Sequence, residues 1–183
     1  MKTRKLLFTM IAAMTMMFGL TLTAHAEEAP APATKVVGVE GIGTFTVPAD
    51  WSDAMYIDDY GTFWFNPAKT AYVCVSKTKT FDNGLAPIET YAAILRKNIE
   101  ATGVVIVDWK VTKYLGRDAI YSIAAVPADD SFTSEYPALH NAVFEYGYTY
   151  YDDNTIMDSS LGATTVEELQ TVLPILSTYQ PAK

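Results

Sequence analysis

Few side chains in this sequence have the chemistry of a catalytic or metal centre. Cys74 is the only cysteine, and His140 is one of two histidines, the other being His25 near the N-terminus. One imidazole in the body of the chain is too little for a histidine-rich metal site. As a triad base, His140 needs a nucleophile such as Ser131 or Ser134 beside it; the plainer reading is a loop or strand-edge histidine. Acidic pairs occur at Asp58-Asp59, Asp129-Asp130 and Asp152-Asp153, the last followed by Asn154. Adjacent carboxylates bind calcium where several other oxygens converge, but none of these runs has the spaced Asp-x-Asp-x-Asp-Gly pattern, and turn formation accounts for them. A Gly-x-Ser-x-Gly elbow, a phosphate-binding glycine loop and a Cys-x-x-Cys pair are all absent. The expectation is therefore no enzyme, no cofactor and no metal. A carboxylate-based hydrolase is the remaining catalytic reading, because two acids that face each other across a cleft leave no trace in sequence.

The strongest binding signal is aromatic. Over Asn141 to Tyr150, Phe144, Tyr146, Tyr148 and Tyr150 alternate with Val143, Glu145, Gly147 and Thr149, so a strand there carries tyrosines on one face. Tyr146, Tyr148 and Tyr150, with Trp51 or Trp64 alongside, could line a groove that stacks against a sugar, peptide or apolar ligand. The competing reading is a strand buried beneath a helix. Cys74, inside Ala71-Tyr72-Val73-Cys74-Val75, reads as a small buried residue with no basic neighbour to activate it, and a single cysteine makes no internal disulfide.

These residues need a scaffold and a compartment. The 183 residues, half of them hydrophobic, suffice for one packed domain and not for two of ordinary size. Residues 1 to 26 have the pattern of a secretory signal: Lys2, Arg4 and Lys5, an uncharged apolar run from Leu6 to Leu22, and a cleavage site at Ala24-His25-Ala26. An uncleaved membrane anchor is the alternative, disfavoured by the threonines that dilute the run. No cysteine stands at the cleavage point, so the expected product, starting at Glu27, has no stable membrane anchor and is periplasmic or extracellular. Loss of the three basic residues takes the formal charge from −8 to −11, which disfavours nucleic acid and anionic lipid as partners. Residues 27 to 35 read as a flexible acidic Pro-Ala tether and residues 36 to 183 as a single globular domain.

Within that domain, one helix is expected from Pro87 to Gly103, with Ile88, Tyr91, Ala92, Leu95 and Ile99 on one stripe, and the other segments are expected to lie against it. Val36 to Glu40 and Ile42 to Val47 form a hairpin pattern; short strands follow at Ala54 to Ile57, Thr62 to Phe65 and Thr70 to Ser76. Val104 to Lys113 and Arg117 to Val126 read as an antiparallel pair around Leu115-Gly116, and Pro127 to His140 as a surface loop. A last helix opens at Thr164 or Thr165 with Glu167 or Glu168 completing a capping box, and Pro174 is expected to kink or split it.

Phe45-Thr46-Val47-Pro48-Ala49-Asp50-Trp51 resembles the opening strand end of PsbP-like proteins. Tyr114-Leu115-Gly116-Arg117-Asp118-Ala119 is similar to their glycine-containing hairpin, and Pro174-Ile175-Leu176-Ser177-Thr178-Tyr179 to their terminal helix ending. The resemblance spans residues 36 to 180. It implies an α+β fold with a central antiparallel sheet flanked by helices, an α/β/α sandwich, and a role in binding or assembling other proteins rather than catalysis. Envelope members of the group are often lipoproteins, and this chain departs from that pattern. The resulting expectation is an exported, non-enzymatic binding or accessory protein of the bacterial envelope with envelope proteins as partners. The alternative is a small-ligand carrier or sensor that uses the tyrosine face.

Overall fold

The computed structural model describes residues 33–80 and 84–182. The signal pattern of residues 1 to 26, with Ala24 and Ala26, and the tether up to residue 32 lie outside them. The described residues form one compact unit. Ten strands build two sheets, and every pairing in them is antiparallel among the described residues.

The smaller sheet has β1 (Thr34–Val39), β2 (Gly43–Pro48) and β10 (Gln180–Pro181) in the order β1-β2-β10. β1 begins two residues inside the stretch expected to be tether, because Ala49 N–H donates to Ala33 O and Lys35 pairs across to Val47, so ladder bonds order the chain earlier than its composition indicates. The larger sheet has β3 (Met55–Ile57), β4 (Gly61–Phe65), β5 (Ala71–Thr80), β6 (Val105–Tyr114), β7 (Arg117–Val126), β8 (Val143–Asp152) and β9 (Thr155–Ala163), in the order β3-β4-β5-β9-β8-β7-β6. The turns are those the punctuation residues predict. Asp59 and Asp153 adopt positive φ of 67° and 50° in the β3–β4 and β8–β9 turns, so each of these acidic pairs places a residue in a turn. Leu115 and Gly116, at φ 51° and 82°, make the two-residue β6–β7 turn whose twist suits a hairpin.

Among the described residues three helices complete the fold: α1 (Ile88–Ala101), α2 (Pro137–His140) and α3 (Val166–Leu176). α1 ends as predicted, with Gly103 at φ 90°. It is not the element around which the chain is built. Only Ile88 and Ala92 are buried, and the helix covers one end of the large sheet, where it meets Ile120, Trp109 and Tyr151. The heavier core lies elsewhere: Phe45, Val47, Val73, Val75, Leu161 and Leu169 are fully buried. α3 packs against β9, β8 and β5 as well as β2. Thr165 caps it by accepting from Glu168 N–H at 3.1 Å. Pro174 does not split it, because it sits in the last turn and the helix stops two residues later.

The sheet's two faces follow from strand alternation. One face carries Ile120, Thr149, Asp158 and Ser76 in a cross-strand row and receives α1. At its other end α2, which lies inside the stretch expected to be loop, packs through Ala138 on Phe63, Phe65, Tyr72 and Cys74. The opposite face carries Tyr121, Tyr148, Ser159 and Val75 in a row. Its cover is not helical alone: Tyr179, just past α3, meets both Tyr150 of this face and Phe45 of the small sheet. The molecule is thus a mainly antiparallel α+β fold, with a second sheet sharing the work given to helices in the expected arrangement.

Candidate functional site

β8 is the strand on which both candidate sites are built, one on each face. On the aromatic face, Tyr146, Tyr148 and Tyr150 project together as expected, and neighbouring elements add three more rings. Tyr114, at the end of β6, lies parallel on Tyr148 with centroids 3.9 Å apart. Tyr121 from β7 meets Tyr146 edge to face at 5.1 Å and Tyr148 at 5.5 Å, and the Lys110 ammonium sits 4.4 Å from the Tyr121 ring. Tyr179 closes the cluster at Tyr150. The six rings come from β6, β7, β8 and the segment after α3, so only the β8 members were visible as a set in the sequence.

The cluster is graded in exposure. Tyr150 is fully buried, whereas Tyr114, Tyr146 and Tyr148 are half-buried. Burial raises the Tyr114 hydroxyl to about 12, partly offset by the Ser159 hydroxyl, and burial raises Tyr146 and Tyr179 further. These phenols stay neutral hydrogen-bonding groups at any physiological pH. Trp51 and Trp64 do not join them. Both are core residues, 5% and 3% exposed, and neither makes a ring contact with a tyrosine among the described residues. Trp51 instead offers its carbonyl to Lys35 Nζ at 2.5 Å.

The opposite face of the same strand holds a polar slot that the sequence did not reveal. Its cavity of about 160 Å³ is lined by Tyr60, Ser76, Ser122, Glu145, Asp158 and Ser160 among others. Asp158 accepts from Thr149 Oγ1 at 2.5 Å, Ser76 Oγ at 3.2 Å and Thr78 Oγ1 at 3.4 Å. Burial raises both the Asp158 and the Glu145 carboxyl; hydroxyl bonds from Thr149, Ser76 and Thr78 oppose it at Asp158, and one from Ser160 opposes it at Glu145. Glu145 and Asp158 therefore line one slot, and Asp158 is already engaged by three hydroxyls. Asp158 and Ser160 belong to β9, a strand whose short polar and small residues show no amphipathic alternation.

The remaining candidates have structural duties. His140 Nδ1 lies 2.6 Å from Phe132 O and ties the loop before α2. Asp129 accepts from Ser131 N–H at 2.9 Å, as a turn residue does. Cys74 is buried with Sγ 3.7 Å from Tyr60 O, and burial pushes its thiol well up. No group of three or more His, Cys, Asp or Glu side chains that could hold a metal ion occurs among the described residues.

This two-sheet arrangement is a PsbP-like fold. The solution structure of CyanoP, the cyanobacterial PsbP of Synechocystis sp. PCC 6803, matches 87% of this chain and 98% of its own at 7% identity, with a TM-score of 0.57. The Ran-binding protein Mog1p of Saccharomyces cerevisiae aligns over 82% of this chain and 96% of its own at 11% identity, with a TM-score of 0.48. A Bacteroides thetaiotaomicron crystal structure aligns over 81% and 48% at 14% identity, again with a TM-score of 0.48. No protein-family model matches the sequence, and neither does any curated protein.

Proposed function

We propose that this chain is an exported, non-enzymatic binding or accessory protein of the bacterial envelope, and that it engages its partner through the aromatic face of β6, β7 and β8. The observation that carries this reading is the graded tyrosine cluster: a buried anchor at Tyr150 and Tyr179 holds the half-buried rings of Tyr114, Tyr146 and Tyr148 in fixed orientations. Rigid tyrosines with a polar tip give large contact area at low entropic cost, which is why such residues dominate binding surfaces. The PsbP-like fold supports the same reading through the binding and assembly role that the resemblance implies. Helices and strands then layer as in the PsbP-like sandwich, with the small sheet as part of one outer layer. Export rests on the signal pattern of residues 1 to 26.

The test has two arms. Cell fractionation with mass spectrometry should find the chain outside the cytoplasm with Glu27 at its N-terminus; an intact N-terminus in the cytoplasm would remove the export reading. A photo-crosslinking residue at Tyr146 or Tyr148 should trap a discrete protein species in living cells, and the same residue at exposed Thr102, beyond α1, should not. Equal trapping at both positions would remove the aromatic face.

A second reading, a small-ligand carrier or sensor, is favoured by the slot on the opposite face. At about 160 Å³ it suits a molecule of only a few non-hydrogen atoms, well below the usual size of a ligand pocket. Soaking and titration with small polar compounds, read by the Ser76→Val and Glu145→Gln variants, separates this reading from the first.

A further inference from the structure

We propose that the chain pairs with a second copy of itself, edge to edge, through β6. This strand is one border of the seven-stranded sheet and runs for ten residues, whereas the opposite border, β3, has three. Two of its apolar side chains, Val105 and Val111, are 47% and 40% exposed.

The direction of its backbone groups follows from the turn. In a hairpin closed by two residues, the flanking pair, here Tyr114 and Arg117, exchanges hydrogen bonds. Alternation then turns the N–H and C=O of Lys113, Val111 and Trp109 away from β7, toward the open side. The Trp109 N–H bears this out, since its partner is not on β7: it donates to the carboxylate of Asp108, its own neighbour, at 2.8 Å.

An antiparallel partner must set outward groups against outward groups, which leaves a short series of registers. Centred on Lys110 or Lys113, two lysines face each other. Centred on Thr112, Val111 meets Lys113 and Lys110 meets Tyr114. Centred on Val111, Lys110 meets Thr112 and Trp109 meets Lys113. Centred on Trp109, Asp108 faces Lys110 of the second copy and Lys110 faces its Asp108, twice related by symmetry; pairing makes the Asp108 carboxylate exchange the Trp109 N–H it holds in the single chain for that lysine, and frees the N–H for Trp109 O of the second copy. Of these registers, it alone opposes an acid with a base. Both residues lie on the same face as Tyr121, and they fall at non-hydrogen-bonded positions of the new ladder, where side chains approach most closely. On the other face Trp109 meets Trp109, while Val111 falls opposite the bulge at residue 107. The bulge between Ile106 and Asp108 bounds the regular part of the ladder. Lysines and bulges on an edge also serve to prevent pairing, and the register resolves the two roles: Lys110 repels in the alignment that sets it against itself and attracts in the one that sets it against Asp108.

The experiment exploits this symmetry, using the chain as recovered from expressing cells. In analytical ultracentrifugation the wild type should form a concentration-dependent dimer in the micromolar range. Asp108→Lys and Lys110→Asp, each alone, should weaken it by at least about tenfold by setting like charges opposite one another. Mixed in equal amounts, the two variants should restore dimer, because each lysine then finds an aspartate. A wild type that stays monomeric into the millimolar range overturns the proposal, as does a dimer indifferent to both reversals. Should a reversal fail to fold by circular dichroism, Asp108→Cys and Lys110→Cys chains mixed under oxidation give a second readout. A mixed disulfide dimer is expected, and its absence overturns the register.

Discussion

Tyr150 and Tyr179 share a hydrogen bond of 2.7 Å, and the Tyr179 hydroxyl donates onward to Ile42 O at 3.1 Å. The Tyr150 hydroxyl is therefore the donor of the pair, and the relay joins the large sheet to the turn before β2 in the small one. Tyr150 is fully buried and Tyr179 is 4% exposed, so neither hydroxyl can turn to water instead. Tyr179→Phe should cost about 1–3 kcal/mol because it leaves a buried donor and a carbonyl unpaired, whereas Tyr150→Phe, which leaves the bond to Ile42 intact, should cost about 1 kcal/mol. Urea unfolding of the two variants checks the order; a larger loss for Tyr150→Phe would contradict the direction of the relay.

The same cluster sets the alkaline limit of the fold. Burial raises Tyr114 of this cluster to about 12, and likewise Tyr91 of α1 beside Tyr151 on the other face, while an unfolded tyrosine ionises at about 10. The folded chain keeps protons that the unfolded chain releases, so stability is intact below about pH 10 and falls as pH rises toward the folded values. Ultraviolet titration should show a group of tyrosines ionising together with loss of structure, rather than singly near pH 10.

Burial also raises the Asp158 and Glu145 carboxyls, with the same sign. Their contribution is complete at and below about pH 4, the ordinary carboxylate range, and declines as pH rises through the raised values. The urea midpoint of the wild type relative to Glu145→Gln should accordingly fall from acidic toward neutral pH. A difference that does not change with pH would show that the slot carboxyl titrates as in solvent.

Gly162 of β9 lies under the ring of Tyr72, and a Cβ at that position would come within 2.5 Å of it. Gly162→Ala should therefore destabilise by about 1–3 kcal/mol through overpacking. Thr165→Ala, which removes the cap of α3, should cost about 1 kcal/mol. Thermal melts of the two variants test these claims independently, because one site is steric and the other is a hydrogen bond.

How far the sequence was legible depends on where each signal came from. Local signals held: the Leu115-Gly116 turn, the Thr165 cap and the alternation of β8 each depend on a few adjacent residues. β9 was not visible, because Asp158, Ser160 and Gly162 face the slot and Tyr72, and positions that hold hydroxyls or make room for a ring lose the apolar periodicity of a strand. The weight placed on α1 followed from its clean stripe, yet a clear period shows only that one side is covered, not how much core lies beneath it. Tyr114 and Tyr179 joined the tyrosine cluster through tertiary packing alone, and Trp51 and Trp64 left it for the same reason.

Cys74 is the sole thiol in the chain, shielded under α2 with its sulfur near Tyr60 O. Cys74 is 5% exposed and lines the polar slot, so a maleimide or iodoacetamide reagent reaches its sulfur faster when the packing around that slot loosens. Its rate of alkylation is therefore a native stopwatch for the breathing of that corner, readable in whole cells without any introduced label.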